Sequence, residues 1–105
     1  MDTSLRAAAQ VETVVAMVRA RPEFIEEVKA ACLALVEPSR ADPGCLSYEL
    51  YQSSEEPALF VFIEQWQSRQ AIENHLAQPH ALAFDEKIAG LLAEEESIIY
   101  LNRIA

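Results

Sequence analysis

The stretch Leu59–Trp66, LFVFIEQW, limits the possible folds more than any other part of this chain. It is rich in aromatic and branched residues and reads as a strand. Side chains alternate across a strand, so Leu59, Val61 and Ile63 point one way and Phe60, Phe62 and Trp66 the other. Glu64 falls on the second side and Gln65 on the first, but both sides are dominated by apolar groups. Val14–Val18 repeats the pattern, with Val15 and Met17 opposite Val14, Ala16 and Val18. A sheet built from such strands needs cover on both faces. With 105 residues the chain has helices enough for one face only. The other face would be an unusually large apolar patch unless a second sheet covers it, most simply that of a second copy.

The remaining elements follow from local signals. Residues 11–20, VETVVAMVRA, read as a strand, and Arg21-Pro22 ends it. Pro22 suits the first turn of a helix, with Glu23, Glu26 and Glu27 near its positive end. Phe24, Val28, Ala31, Cys32, Leu35 and Val36 recur at helical spacing, and Pro38 weakens the helix near its end. Asp42-Pro43-Gly44 is a turn, Cys45–Gln52 a strand, and SSEEP the polar connection to Leu59–Trp66, giving a hairpin. Ser68 caps a helix running to about Ala77, Pro79 interrupts and restarts it, and Ile98–Ile104 forms the last strand. The order is βαββαβ, an α+β ferredoxin-like fold with a four-stranded antiparallel sheet and helices on one face. Residues 1–10 lack a clear period and read as a flexible leader, leaving 11–105 as one domain.

Composition removes several functions. Seventeen acidic residues against eight Lys and Arg give a net charge of −9, which repels nucleic acid and anionic membranes. No apolar run approaches the ~20 residues of a membrane span, and no secretory signal is visible, so a cytoplasmic protein is expected. The two cysteines, Cys32 and Cys45, match no metal spacing and read as reduced, mostly buried thiols. With two glycines the chain has neither phosphate-binding loop, so no nucleotide cofactor is expected.

Chemistry concentrates between Trp66 and Phe84. Trp66 ends a strand, His75 lies on the following helix, and His80 follows Pro79. Short connections bring them to one end of the helix-covered face. A histidine early in a helix feels the positive dipole end and stays neutral near pH 7, as a general base requires. Alternatively, the histidines hydrogen-bond the backbone and pin the helix break, and Trp66 is core. Tyr48, alternating with Leu46 and Leu50, faces a buried layer where its hydroxyl needs a partner. Cys45, Ser47, Glu49 and Tyr51 take the opposite side. Glu64 on an apolar side is costly unless paired, and a tyrosine, a histidine or Arg19 could pair it.

VVAMVRARPE, SRADPGCLSYELYQS, FVFIEQW and HLAQPHALAF, in this order, give the chain a resemblance to the antibiotic biosynthesis monooxygenase family, in its small quinol-monooxygenase-like branch. The resemblance implies a dimeric α+β barrel with a pocket between sheet and helices. It implies oxidation of a small hydroquinone or polycyclic phenol by molecular oxygen, with no metal or other cofactor. The family's recurrent histidines match His75 and His80, candidate bases, and its strand-end tryptophan matches Trp66. Trp66, Phe62 and Phe84 would form an aromatic wall, and Tyr48 and Glu64 would contact substrate. Relatives that degrade haem use a first-strand Asn, absent from residues 11–20. An isomerase of a phosphorylated signalling sugar would need Arg19, Arg21, Arg40 or Arg69 at the pocket. A non-catalytic dimeric binding module is the remaining alternative.

Overall fold

The computed structural model describes residues 11–105, so the leader expected over residues 1–10 lies outside the described residues. The strands are β1 (Glu12–Arg19), β2 (Cys45–Gln52), β3 (Leu59–Trp66) and β4 (Ser97–Leu101). They form one sheet in the order β2-β3-β1-β4, with every pair antiparallel. The helices are α1 (Ile25–Arg40), α2 (Arg69–Leu76) and α3 (Pro79–Ile88), with a 3-10 turn over Pro22–Phe24 leading into α1. This is the expected ferredoxin-like arrangement.

The proline and glycine signals act at the expected places. Pro22 sits in the 3-10 turn, where its missing N–H costs nothing. The break at Pro79 separates α2 from α3. Pro38 is absorbed in the last turns of α1, which runs on to Arg40. Ser68 caps α2 by accepting a hydrogen bond from the Ala71 N–H. β4 is shorter than expected, pairing with β1 only from Ser97 to Leu101.

Val14, Ala16, Val18, Phe60, Phe62, Trp66 and Tyr48 are buried beneath the helices, packed with Val28, Cys32, Leu35, Ile72, Phe84 and Ile88. The opposite face carries Val15, Met17, Val61, Ile63, Tyr51, Ile99 and Leu101. No helix among the described residues covers it: Ile63 is 39% exposed, Tyr51 50% and Leu101 43%.

One part of β2 departs from strict alternation. The register slips between Cys45 and Ser47, so Cys45 pairs with Trp66 while Ser47 pairs with Gln65. Leu46 is the extra residue of this bulge and is exposed, not in the layer with Tyr48 and Leu50. The slip turns Cys45 to the helix side, where it is half-buried, correcting its expected place beside Tyr51.

Gly44 locks the turn before β2 to the rest of the site. Its φ is +84°, and a Cβ there would lie 2.6 Å from the Ala71 Cβ on α2. Glycine alone permits both the left-handed backbone and the close approach. The Gln67 N–H donates to the Gly44 carbonyl at 2.8 Å, joining this turn to the end of β3. Asp42 is thereby carried beneath the α2–α3 junction.

Candidate functional site

Asp42 organises the site. Its Oδ2 accepts hydrogen bonds from His75 Nδ1 at 2.7 Å and from His80 Nε2 at 2.8 Å. Asp42 and His75 are both buried, and His80 is half-buried. Each bond is charge-assisted on the carboxylate side, which is how such a group tolerates burial. Sequence reading treats Asp42 only as a turn residue. The signal within reach was two histidines close in sequence that need a common acceptor.

His75 lies in the last turn of α2, so the positive helix end does not act on it. Its pKa is nevertheless lowered, and burial is the cause, opposed by the Asp42 hydrogen bond and charge. With Nδ1 committed to Asp42, the tautomer leaves Nε2 as the acceptor nitrogen. Nε2 has no hydrogen-bond partner among the described residues and is not sealed off, and His75 lines a cavity between the sheet and the helices.

That cavity has a volume of about 150 Å³ and lies between the sheet and α2–α3. Tyr48, Phe62, Glu64, His75 and Phe84 all line it, which brings together five of the residues singled out from the sequence. The other two stand behind them. Trp66 is fully enclosed, with its ring 4.8 Å from that of His75, and it does not line the cavity. Its indole N–H donates to Glu64 Oε1 at 2.9 Å. His80 lines instead a separate pocket with Ala31, Leu35 and Phe84. The cluster is tied by ring contacts, with Tyr48 5.4 Å from Phe62 and Phe62 6.0 Å from Phe84.

Glu64 is 6% exposed, and burial raises its pKa to about 7, with the Trp66 N–H opposing. Burial, reinforced by the Glu64 charge, also pushes the Tyr48 phenol well above its ordinary value. Tyr48 at the cavity is therefore a neutral hydrogen-bonding group, not a phenolate. The Cys32 thiol, fully buried in α1, is pushed up to about 12, which leaves no reactive thiolate there.

Asp42, His75 and His80 also offer one oxygen and two nitrogens within 4.8 Å of one another, a donor set that suits a divalent metal. The 2.7 and 2.8 Å separations are hydrogen-bond lengths, whereas ligands of a tetrahedral zinc lie roughly 3.3 Å apart. The geometry fits shared protons better than a shared ion. Among the described residues no Lys or Arg lines the cavity, so they supply no phosphate grip of the kind an isomerase would need there. Arg19 is instead paired with Glu56 and Glu94, and Arg40 with Glu37.

Comparison with known proteins gives a consistent picture. Residues 13–87 match the family model described as antibiotic biosynthesis monooxygenase. "Putative monooxygenase Rv0793" of Mycobacterium tuberculosis is 33% identical over 88 residues, covering 84% of this chain and 86% of that protein. "Uncharacterized protein sll1783" of Synechocystis is 37% identical over 81 residues, which are 77% of this chain. They are 55% of that protein, so the chain spans about half of its length. Among solved structures, PA3566 from Pseudomonas aeruginosa superposes with a TM-score of 0.85 at 38% identity, covering 90% of this chain and 95% of that one.

Proposed function

Because the chain belongs to the antibiotic biosynthesis monooxygenase family, we propose that it oxygenates a small hydroquinone in the cavity beneath α2 and α3, with His75 as general base. The observation that carries this reading is the Asp42–His75 pair, whose bonding leaves Nε2 as an acceptor at an apolar cavity. The cavity, about 150 Å³, has room for one aromatic ring.

Each residue then has a task. His75 Nε2 takes a proton from one substrate hydroxyl, and Asp42 steadies the imidazolium that results. The phenolate is a much better electron donor to oxygen than the phenol. Phe62 and Phe84 flank the ring, and Tyr48 and Glu64 hydrogen-bond its oxygens. Trp66 holds Glu64 in place through its N–H. In the net reaction a hydroquinone and O₂ give a hydroxyquinone and water: one oxygen atom enters the ring, the other leaves as water, and the ring supplies the electrons. The chemistry therefore needs no flavin, haem or metal as electron source.

Oxygen uptake with a hydroquinone, measured on protein dialysed against a chelator, tests this. Activity should persist after dialysis, and His75→Ala should lower kcat by roughly 10²–10⁴-fold, the usual scale for a general base. Chelator-sensitive activity restored by one metal, or a fully active His75→Ala protein, would sink the reading. The scaffold is proposed to be a homodimer joined through the uncovered sheet face, with Val15, Met17, Val61 and Ile63 in the contact. Analytical ultracentrifugation at micromolar concentration should give twice the chain mass, and a monomer would overturn the barrel.

A further inference from the structure

We propose that the cavity selects its ligand by charge, taking a hydroxyaromatic that bears a protonated amine, disfavouring an anionic one, with Glu96 as the residue that reads the charge. The proposal rests on the reading that this cavity is the substrate site.

Its lining explains why. Glu64 comes from β3, Asp85 from α3, and Glu96 from the segment leading into β4, and among the described residues no Lys or Arg lines the cavity with them. The other titratable groups around it are His75, Tyr48 and Tyr100. On the neighbouring elements, Arg69 stacks 4.0 Å over the ring of Tyr100, itself a lining residue, and pairs with Glu12 at 3.4 Å, while Lys87 follows Asp85 by two residues on α3 and does not line the cavity.

The groups are arranged in depth. Tyr48, Glu64 and His75 are buried, Glu96 is half-buried, and Asp85 is exposed. A phenol hydroxyl directed at the buried His75 would turn the ring's far substituent toward the more exposed part of the lining, to which Glu96 and Asp85 belong. Glu64 also points to a ligand. It is 6% exposed and lines the cavity, only its Oε1 takes a hydrogen bond among the described residues, and its other oxygen keeps some exposure.

Energetics run the same way. Burial raises the pKa of Glu64 and of Glu96, the latter helped by Asp85, so the cavity holds carboxyl groups that ionise reluctantly. An ammonium beside Glu96 favours its charged form, so binding should release protons. An added carboxylate or phosphate meets only like charge. The net charge of −9 steers in the same sense from a distance.

Three small phenols that differ little except in charge test this: tyramine, tyrosol and 4-hydroxyphenylacetate, measured by calorimetry on the full chain at pH 7. Tyramine should bind roughly tenfold or more tighter than tyrosol, and 4-hydroxyphenylacetate more weakly than both, the scale of one partly screened charge pair. Tyramine binding should release protons in buffers of different ionisation enthalpy, and its affinity should rise from pH 6 to pH 8. Glu96→Gln should collapse the tyramine-to-tyrosol ratio toward one, with its melting temperature confirming a folded protein. Equal affinities, tightest binding of the anion, no binding of any of the three, or a ratio untouched by Glu96→Gln would each overturn the proposal. Oxygen uptake with a hydroquinone separates the two readings. Ordered affinities without uptake would defeat the reaction alone, and uptake with equal affinities would defeat the charge selection alone.

Discussion

Asp42→Asn should lower kcat for hydroquinone oxidation by roughly 10²–10⁴-fold, nearly as much as removal of the His75 imidazole. The Asp42 carboxylate accepts from both histidines through one oxygen, so the substitution removes the charge that both N–H groups face. Two consequences follow for His75. The tautomer with Nε2 free is no longer enforced, and the imidazolium formed in the reaction loses its counter-charge. The pH profile separates this from a structural role. Burial already lowers the His75 pKa and Asp42 opposes that shift. Without the Asp42 charge the pKa should fall further, moving the acid limb of kcat to lower pH. KM should change little, because Asp42 does not line the cavity. A variant with unchanged kcat and an unmoved acid limb would remove Asp42 and His75 from the mechanism together.

Asp42 also marks where sequence reading stops. The fold was legible because its signals are local and strong. LFVFIEQW alternates cleanly, Pro22 and Pro79 interrupt where they should, and Ser68 caps where expected. The two histidines and Tyr48, Phe62, Glu64 and Phe84 were within reach because they lie on those elements. Asp42 was not, because Asp-Pro-Gly is fully explained as a turn. Its second role appears only when Gly44 is seen packed against Ala71, which fixes the turn under α2. The Cys45–Ser47 bulge was hidden for a related reason: CLSYELYQ gives no sign of where the period of two slips, so Leu46 and Cys45 were placed on the wrong sides. The depth order of Trp66 and Glu64 is tertiary as well. Alternation puts both on one face, but it cannot say that the indole stands behind the cavity and donates to the carboxylate in front of it.

Glu64→Gln should stabilise the protein at pH 8 and leave it almost unchanged near pH 4. The carboxyl has a pKa of about 7 in the folded chain against an ordinary 4.5, because burial penalises its charged form. The folded state therefore holds a proton that the unfolded state has released between pH 4.5 and 7. Stability is lost as pH rises through that window and stays lower above it. The full shift corresponds to at most ~3 kcal/mol. Glutamine keeps an acceptor for the Trp66 N–H and carries no charge, so it escapes this penalty at every pH. Urea unfolding of both proteins at several pH values should show the difference opening from near zero to a few kcal/mol across the window, on the order of that limit. A constant offset would mean that Glu64 is not the titrating group. The same property bears on catalysis. With Trp66 donating to Oε1, the proton of a neutral Glu64 resides on the other oxygen, at the cavity. In the proposed reaction it would donate to a substrate oxygen while His75 takes a proton from the substrate. The instability that Glu64 brings at high pH is then the cost of keeping a donor and an acceptor side by side in one apolar pocket.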